Sequence, residues 1–223
     1  MNNTDKTQTP LVTVAGLGPG HPDYILPVVL KQCRKAQVLV SGTRHLESLR
    51  QVFGEDWQPQ QHIVLGSGHP LAESFEKIEE ALAAEQEILI LVSGDTGYYS
   101  MLSTIRKKLP DVELKVIPGI SSLQYFFAAL GMSWQDALMM SLHGREQDLD
   151  AALKTGKTIG LLTDSSHGTA WIAGKMMADY PGRMIYTGEE LSYPEETITA
   201  QLPADALHYK EKGMAVVIIA GEA

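Results

Sequence analysis

Apolar positions along this chain gather into short unbroken runs, and amphipathic stretches separate them in a regular alternation. Residues 11–15 (LVTVA) and 88–92 (ILILV) have the length and composition of strands buried on both faces. Residues 37–40, 63–65, 113–117 and 137–141 are further apolar runs of strand length, most of them bounded by Gly, Pro or Ser. The stretches between them carry a helical period. Ile25, Val28 and Val29 mark it within 24–35, and Leu71, Phe75, Ile78 and Leu82 within 70–85. Residues 46–53, 98–105 and 123–130 read the same way. Strand and helix in turn predict an α/β fold whose first part is a mostly parallel sheet covered by helices on both faces.

The pattern changes after Leu153. Residues 154–157 (KTGK) are short and polar with a central glycine, and they predict a hinge. Beyond it, residues 158–163, 184–187, 196–202 and 214–220 predict strands, with helices at 167–178 and within 203–212. The expected organisation is a flexible tail over 1–10, an N-terminal α/β domain over 11–153 and a smaller C-terminal domain with a mixed sheet over 158–223.

A net charge of −9 over 223 residues argues against non-specific nucleic-acid binding, which runs on neutralised phosphates. It leaves room for a small anionic ligand, because a few local cations can dominate one pocket. Cys33 is the only cysteine, so no intrachain disulfide or thiolate cluster can form, and its place between Leu30 and Ala36 predicts a buried inert thiol. The polar start MNNTDKTQTP has no apolar signal core, and no run reaches membrane-spanning length; the protein is expected to be cytoplasmic. The seven histidines form no i, i+4 pair and no H-E-x-x-H, so no metal site is expected.

The candidate chemistry lies just after three predicted strands, in GLGPG (16–20), SGDTG (93–97) and PGISS (118–122). The first is not a dinucleotide fingerprint. Its glycines fall at 16, 18 and 20, Pro19 lacks an N–H, and Ser41-Gly42 stands where a ribose-binding acid belongs. No G-x-x-x-x-G-K-[ST] or G-x-S-x-G occurs either. In SGDTG a glycine-flanked acid follows a buried strand, which suits a loop that lets a ligand close to the backbone and offers it two acceptors. An ordinary turn with an Asp helix cap is the other reading of that loop alone.

The three loops in this order, with GEELSYPEE at 188–196, resemble the tetrapyrrole (precorrin) methylase family over residues 11–222. The resemblance implies two α/β domains with a ligand cleft between them, S-adenosylmethionine as methyl donor, and a homodimer. It further implies donor contacts at Pro19, Gly94, Asp95, Tyr98, Ser121, Ser122, Leu162 and Leu191, with Asp95 holding the donor and not acting as a base. Replacing Asp95 with Ala is then expected to weaken donor binding and leave the fold intact. Two positions depart from the family pattern: Thr96 stands in place of Pro, and Glu190 in place of Asn.

Three segments, SGTRHLESL (41–49), SLHGR (141–145) and GEELSYPEE, point within the family to members that methylate the C-5 carbon of a precorrin or cobalt-precorrin in cobalamin biosynthesis. Such a substrate is fringed with carboxylates, and Arg44, His45, His143 and Arg145 follow predicted strand ends where cations could meet them. No catalytic base is assigned; His143 is a candidate by its pKa class alone. The resemblance also implies a separate C-15 methylating and decarboxylating enzyme as a partner. The alternatives are a sister methylase acting at another carbon or on uroporphyrinogen III, and a non-catalytic subunit that binds donor or tetrapyrrole.

Overall fold

The computed structural model describes residues 12–66, 68–142 and 148–222. Contacts divide the chain into two compact units, residues 1–121 and 122–223.

In the first unit β1 (Val12–Gly16) leads through a 3-10 turn (Pro22–Tyr24) to α1 (Pro27–Lys35), β2 (Val38–Ser41) and α2 (Thr43–Phe53). Then come β3 (Gln61–Val64), α3 (Leu71–Ala83), β4 (Ile88–Val92), α4 (Leu102–Lys108) and β5 (Leu114–Ile117). Local chemistry supports these bounds. Pro27 starts α1 with its φ already helical, and Arg34 and Lys35 face the negative end of the helix dipole. The strands form one sheet in the order β3-β2-β4-β1-β5. Every pair is parallel, with Val14 level with Ile90 on one side and Val116 on the other.

Alternation along β1 and β4 feeds two cores. Val12, Val14, Ile88, Ile90 and Val92 pack with Phe75 and Ile78 of α3 and Ile105 of α4. Ala15, Leu89 and Leu91 pack with Val29 and Cys33 of α1 and Leu46 and Leu49 of α2. Each large apolar side chain buried this way contributes about 1.5–3 kcal/mol, and both central strands are buried along their whole length. Burial pushes the Cys33 thiol up to about 12, so it stays protonated and inert. The connection from β2 runs outward to edge strand β3, and that from β4 runs the other way to edge strand β5. The carboxyl ends of β2 and β4 therefore flank a topological switch point, where open α/β sheets bind ligands.

The second unit contains α5 (Ser122–Ala129), β6 (Leu138–Ser141), α6 (Leu149–Leu153), β7 (Ile159–Leu162) and α7 (Thr169–Met176). It continues with β8 (Ile185–Glu189), β9 (Thr197–Gln201), α8 (Pro203–Ala206) and β10 (Ala215–Ile219). Its sheet has the order β6-β7-β10-β8-β9; β6 and β7 are parallel and the other pairs antiparallel. Leu153, Leu161, Ile172, Met176 and Val217 lie at its core. Arg183, only 6 % exposed, donates to the carbonyls of Leu153, Lys157 and Ala220 and ties three chain segments together.

The fold is α/β with one parallel and one mixed sheet, as the alternation predicts, but the division of the chain falls elsewhere. Residues 137–141, assigned from sequence to the N-terminal domain, supply β6 to the second sheet, and the break lies between Ser121 and Ser122. The expected hinge at 154–157 is the turn that closes the β6-α6-β7 crossover. Gly156 turns there with φ +68°, and its carbonyl accepts from the Glu222 N–H at 2.8 Å. An apolar run of strand length does not say which sheet it will join, and five-residue α6, capped by Asp148 on the Ala151 N–H, has no periodic signal long enough to read. The predicted tail at 1–10 lies outside the described residues. Among the described residues no helix is long and apolar enough to cross a membrane.

Candidate functional site

At the carboxyl edge of the first sheet the loops after β1, β4 and β5 interlock through their backbones. The Gly18 N–H donates to the Gly94 carbonyl at 3.1 Å, and the Gly94 N–H returns a bond to Gly18 at 2.9 Å. Gly18 and Gly94 hold φ of +92° and +65°, a region that favours glycine. The approach is closest at Gly16, where a β-carbon would sit 2.5 Å from the Gly94 carbonyl oxygen and 2.8 Å from the Gly119 nitrogen. Gly16, Gly94 and Gly119, one from each motif, are therefore needed to pack loop against loop.

Asp95 fastens the arrangement. Its Oδ1 accepts from the Gly97 N–H at 2.8 Å and its Oδ2 from the Gly119 N–H at 3.0 Å. The two acceptors expected for a ligand each serve a main-chain donor, although each oxygen keeps a further lone pair. Thr96, the first departure from the family pattern, is buried, and its carbonyl accepts from the Ser100 hydroxyl. Pro19 sits half-buried beside Gly18. Tyr98 is half-buried edge-on to Tyr99 at 4.8 Å, and burial pushes its phenol up, so it remains a donor at neutral pH. Ser121 is buried behind Gly94, its Cα 3.4 Å from where a Gly94 β-carbon would lie. Pro19, Gly94, Asp95, Tyr98 and Ser121 thus belong to one interlocked loop cluster.

Three more residues in the implied donor set belong to the second unit. Ser122 opens α5, and half-buried Leu162 ends β7, level with Ser141 and Val216. Leu191 is buried after β8 and packs on Gly188, whose missing β-carbon would come 2.7 Å from the leucine Cδ2. Left-handed φ values of +45° at Glu190 and +70° at Ser192 flank it. Glu190, the second departure, spends a carboxylate oxygen on the Met214 N–H at 2.9 Å and donates its own N–H to the Met214 carbonyl at 3.0 Å. Next to it buried Glu189 accepts from the Tyr209 hydroxyl and the Lys212 N–H.

A cavity of about 350 Å³ opens at the switch point, with Thr43, Arg44, His45, Leu65, Ser93 and Tyr99 in its wall. His45 crosses it. Its Nε2 lies 2.9 Å from the Ser93 Oγ, and its Nδ1 receives a long bond, 3.4 Å, from the Gly42 N–H. Since that N–H can only donate, Nδ1 is the acceptor and Nε2 carries the proton. Burial pushes the imidazole down to about 4, so at neutral pH His45 lacks the positive charge expected of it. Arg44 is exposed beside it. His143 and Arg145 lie outside the described residues. Sequence reasoning missed Ser93 and the Gly119 N–H as working parts, although both sit inside quoted motifs.

The profile of the family described as Tetrapyrrole (Corrin/Porphyrin) Methylases matches residues 11–206. The chain is 29% identical to a cobalt-precorrin-7 C(5)-methyltransferase of Salmonella typhimurium, over 94% of this chain and 98% of that protein. It is 25% identical to a precorrin-6Y C(5,15)-methyltransferase (decarboxylating) of a Sinorhizobium species, over 91% of this chain and 48% of that longer protein. A uroporphyrin-III C-methyltransferase from Thermus thermophilus, solved with S-adenosylhomocysteine, shares the fold with a TM-score of 0.74. That likeness spans 94% of this chain and 96% of the other at 17% identity.

Proposed function

Because the chain belongs to the tetrapyrrole (corrin/porphyrin) methylase family, we propose that it transfers a methyl group from S-adenosylmethionine to C-5 of cobalt-precorrin-7 in cobalamin biosynthesis. The likeness to the Salmonella C(5)-methyltransferase along nearly the whole of both chains carries this reading. The interlocked loops after β1, β4 and β5 support it, since they form a fixed backbone platform with small residues at its surface.

Within the first unit the proposed donor contacts are Pro19, Gly94, Asp95, Tyr98 and Ser121; within the second they are Ser122, Leu162 and Leu191. The fit is chemical. Glycines let a ligand approach the main chain, the Ser121 and Tyr98 hydroxyls offer hydrogen bonds, and the leucines offer apolar contact to the adenine and the methionine chain.

S-adenosylmethionine supplies an already activated methyl group, and its transfer to a nucleophilic ring carbon leaves S-adenosylhomocysteine. The protein's task is positioning. Asp95 keeps the loops after β4 and β5 at fixed separation, which limits the reorganisation needed to align the reactants. Arg44 is proposed to meet a substrate carboxylate, and Arg145 and His143 are proposed as further substrate contacts. His45, expected from the sequence as a further substrate contact, is neutral with both ring nitrogens engaged by Gly42 and Ser93, so no carboxylate contact is proposed for it. Further proposals are a homodimer, a cytoplasmic setting and a partnership with a C-15 methylating and decarboxylating activity. The Sinorhizobium relative's name joins that activity to the C-5 one.

The test is incubation with S-adenosylmethionine and cobalt-precorrin-7, followed by mass spectrometry and NMR of the product. One added methyl at C-5 is expected. A methyl at another carbon would assign a sister activity, and no methylation of any tetrapyrrole would sink the enzymatic reading.

A further inference from the structure

We propose that His45 is a positioning residue for the donor loop, its imidazole latching Ser93, at the start of the loop after β4, to the amino-terminal turn of α2 across the switch point. This rests on the assignment of Gly94 and Asp95 to the methyl donor.

The latch follows from how the two ends are held. His45 occupies the first turn of α2, where its N–H bonds the Gly42 carbonyl at 3.1 Å, so its backbone is fixed by the helix. The ring is fixed in turn by the Gly42 N–H on Nδ1, which leaves Nε2–H as the one ring donor, and that donor meets the Ser93 Oγ at 2.9 Å. Ser93 is exposed and lies immediately before Gly94 and Asp95. The loop after β4 is therefore restrained on two sides. The Gly18 bridge and the Gly119 bond tie it toward β1 and β5, and His45 ties it toward β2. Among the described residues His45 is the side-chain partner of Ser93, so without the imidazole that third restraint goes, and the divergent connections at the switch point leave the β2 side otherwise open.

Side-chain length gives a clean test. Glutamine places an amide N–H about where Nε2–H lies, whereas asparagine reaches only the Nδ1 position. S-adenosylhomocysteine affinity by calorimetry and the KM for cobalt-precorrin-7 are measured on the full chain and on His45→Asn, His45→Gln, Ser93→Ala and the His45→Asn/Ser93→Ala double variant. The latch requires His45→Asn and Ser93→Ala each to weaken S-adenosylhomocysteine binding by about two- to tenfold, the double variant to be no weaker than the worse single, and His45→Gln to recover most of the loss. The tetrapyrrole KM should stay within twofold. Since Ser93 is exposed, Ser93→Ala also guards against misfolding at His45. An unchanged S-adenosylhomocysteine affinity with a raised tetrapyrrole KM in His45→Asn would make His45 a substrate contact and overturn the latch, and additive losses would overturn it too. If the unaltered protein bound no S-adenosylhomocysteine, the donor reading itself would fall; normal binding with unaffected variants would remove the latch alone.

Discussion

Asp95 and Gly119 sit on loops from strands that are not neighbours, and one carboxylate oxygen joins them: Asp95 Oδ2 accepts from the Gly119 N–H at 3.0 Å, reaching past β1. With Oδ1 on the Gly97 N–H, the side chain holds two main-chain donors, so its loss should cost stability as well as ligand affinity. Asp95→Ala is expected to cost about 2 kcal/mol. That corresponds to a Tm lower by roughly 4–8 °C for a chain of this size. Thermal unfolding followed by circular dichroism checks it; an unchanged Tm would restore the simpler expectation of a residue that serves the ligand only.

Gly119 and Gly174 should respond in opposite directions to alanine. A β-carbon at Gly119 would lie 2.8 Å from the Gly16 carbonyl carbon and closer still to the Gly94 oxygen, all backbone that cannot rotate away. Gly119→Ala should destabilise by on the order of 3 kcal/mol and loosen all three loops. At Gly174, on the exposed side of α7, a β-carbon meets nothing within 4 Å, and alanine should stabilise by about 0.5–1 kcal/mol. Urea titrations of the two variants read both signs.

His45 predicts a pH signature. The folded imidazole stays neutral down to about 4, while in the unfolded chain it protonates near the ordinary value of 6.5. Between those two values the unfolded state binds more protons, so this contribution to stability is complete above 6.5 and drains away as the pH falls toward 4. Gln cannot titrate. The Tm of His45→Gln should therefore decline less steeply than that of the unaltered protein across this window, and parallel curves would show that His45 is not held neutral.

Arg183 holds three carbonyls of the second unit. Arg183→Met would remove the guanidinium donor from the carbonyls of Lys157 and Ala220, and leave that of Leu153 with the Gly156 N–H at 3.2 Å. The expected loss is about 3 kcal/mol, or roughly 6–12 °C in Tm. Loss of less than about 2 °C would mean that water replaces the guanidinium.

The sequence carried the layout of elements because buried strands such as 88–92 announce themselves by composition, and helices such as 71–83 by period. It also carried the loops that matter, since only glycine satisfies the contacts at 16, 94 and 119. Sheet membership was not legible: 138–141 looks like any other apolar run, and its pairing with β7 depends on partners chosen in three dimensions. Nor was the inward use of Asp95 and Glu190 legible. A carboxylate in a loop reads alike whether its oxygens face a ligand or the N–H groups of Gly119 and Met214. His45 was misjudged for a related reason, because its residue type suggests a cation and only its burial removes the charge.

The central place of β1 sets a timetable for synthesis. Among the described strands β1 comes earliest in the chain and pairs with β4 and β5, so Val12 must wait for Ile88 and then Leu114 to leave the ribosome before its edges are covered. At ordinary translation speed the first wait is on the order of 4 to 15 seconds. Through it an apolar, β-branched segment stands with both edges open, the condition under which nascent chains are held by chaperones or lost to aggregation. Fluorescence-quenching or protease-protection measurements on stalled nascent chains should show β1 acquiring protection only once β4 has emerged.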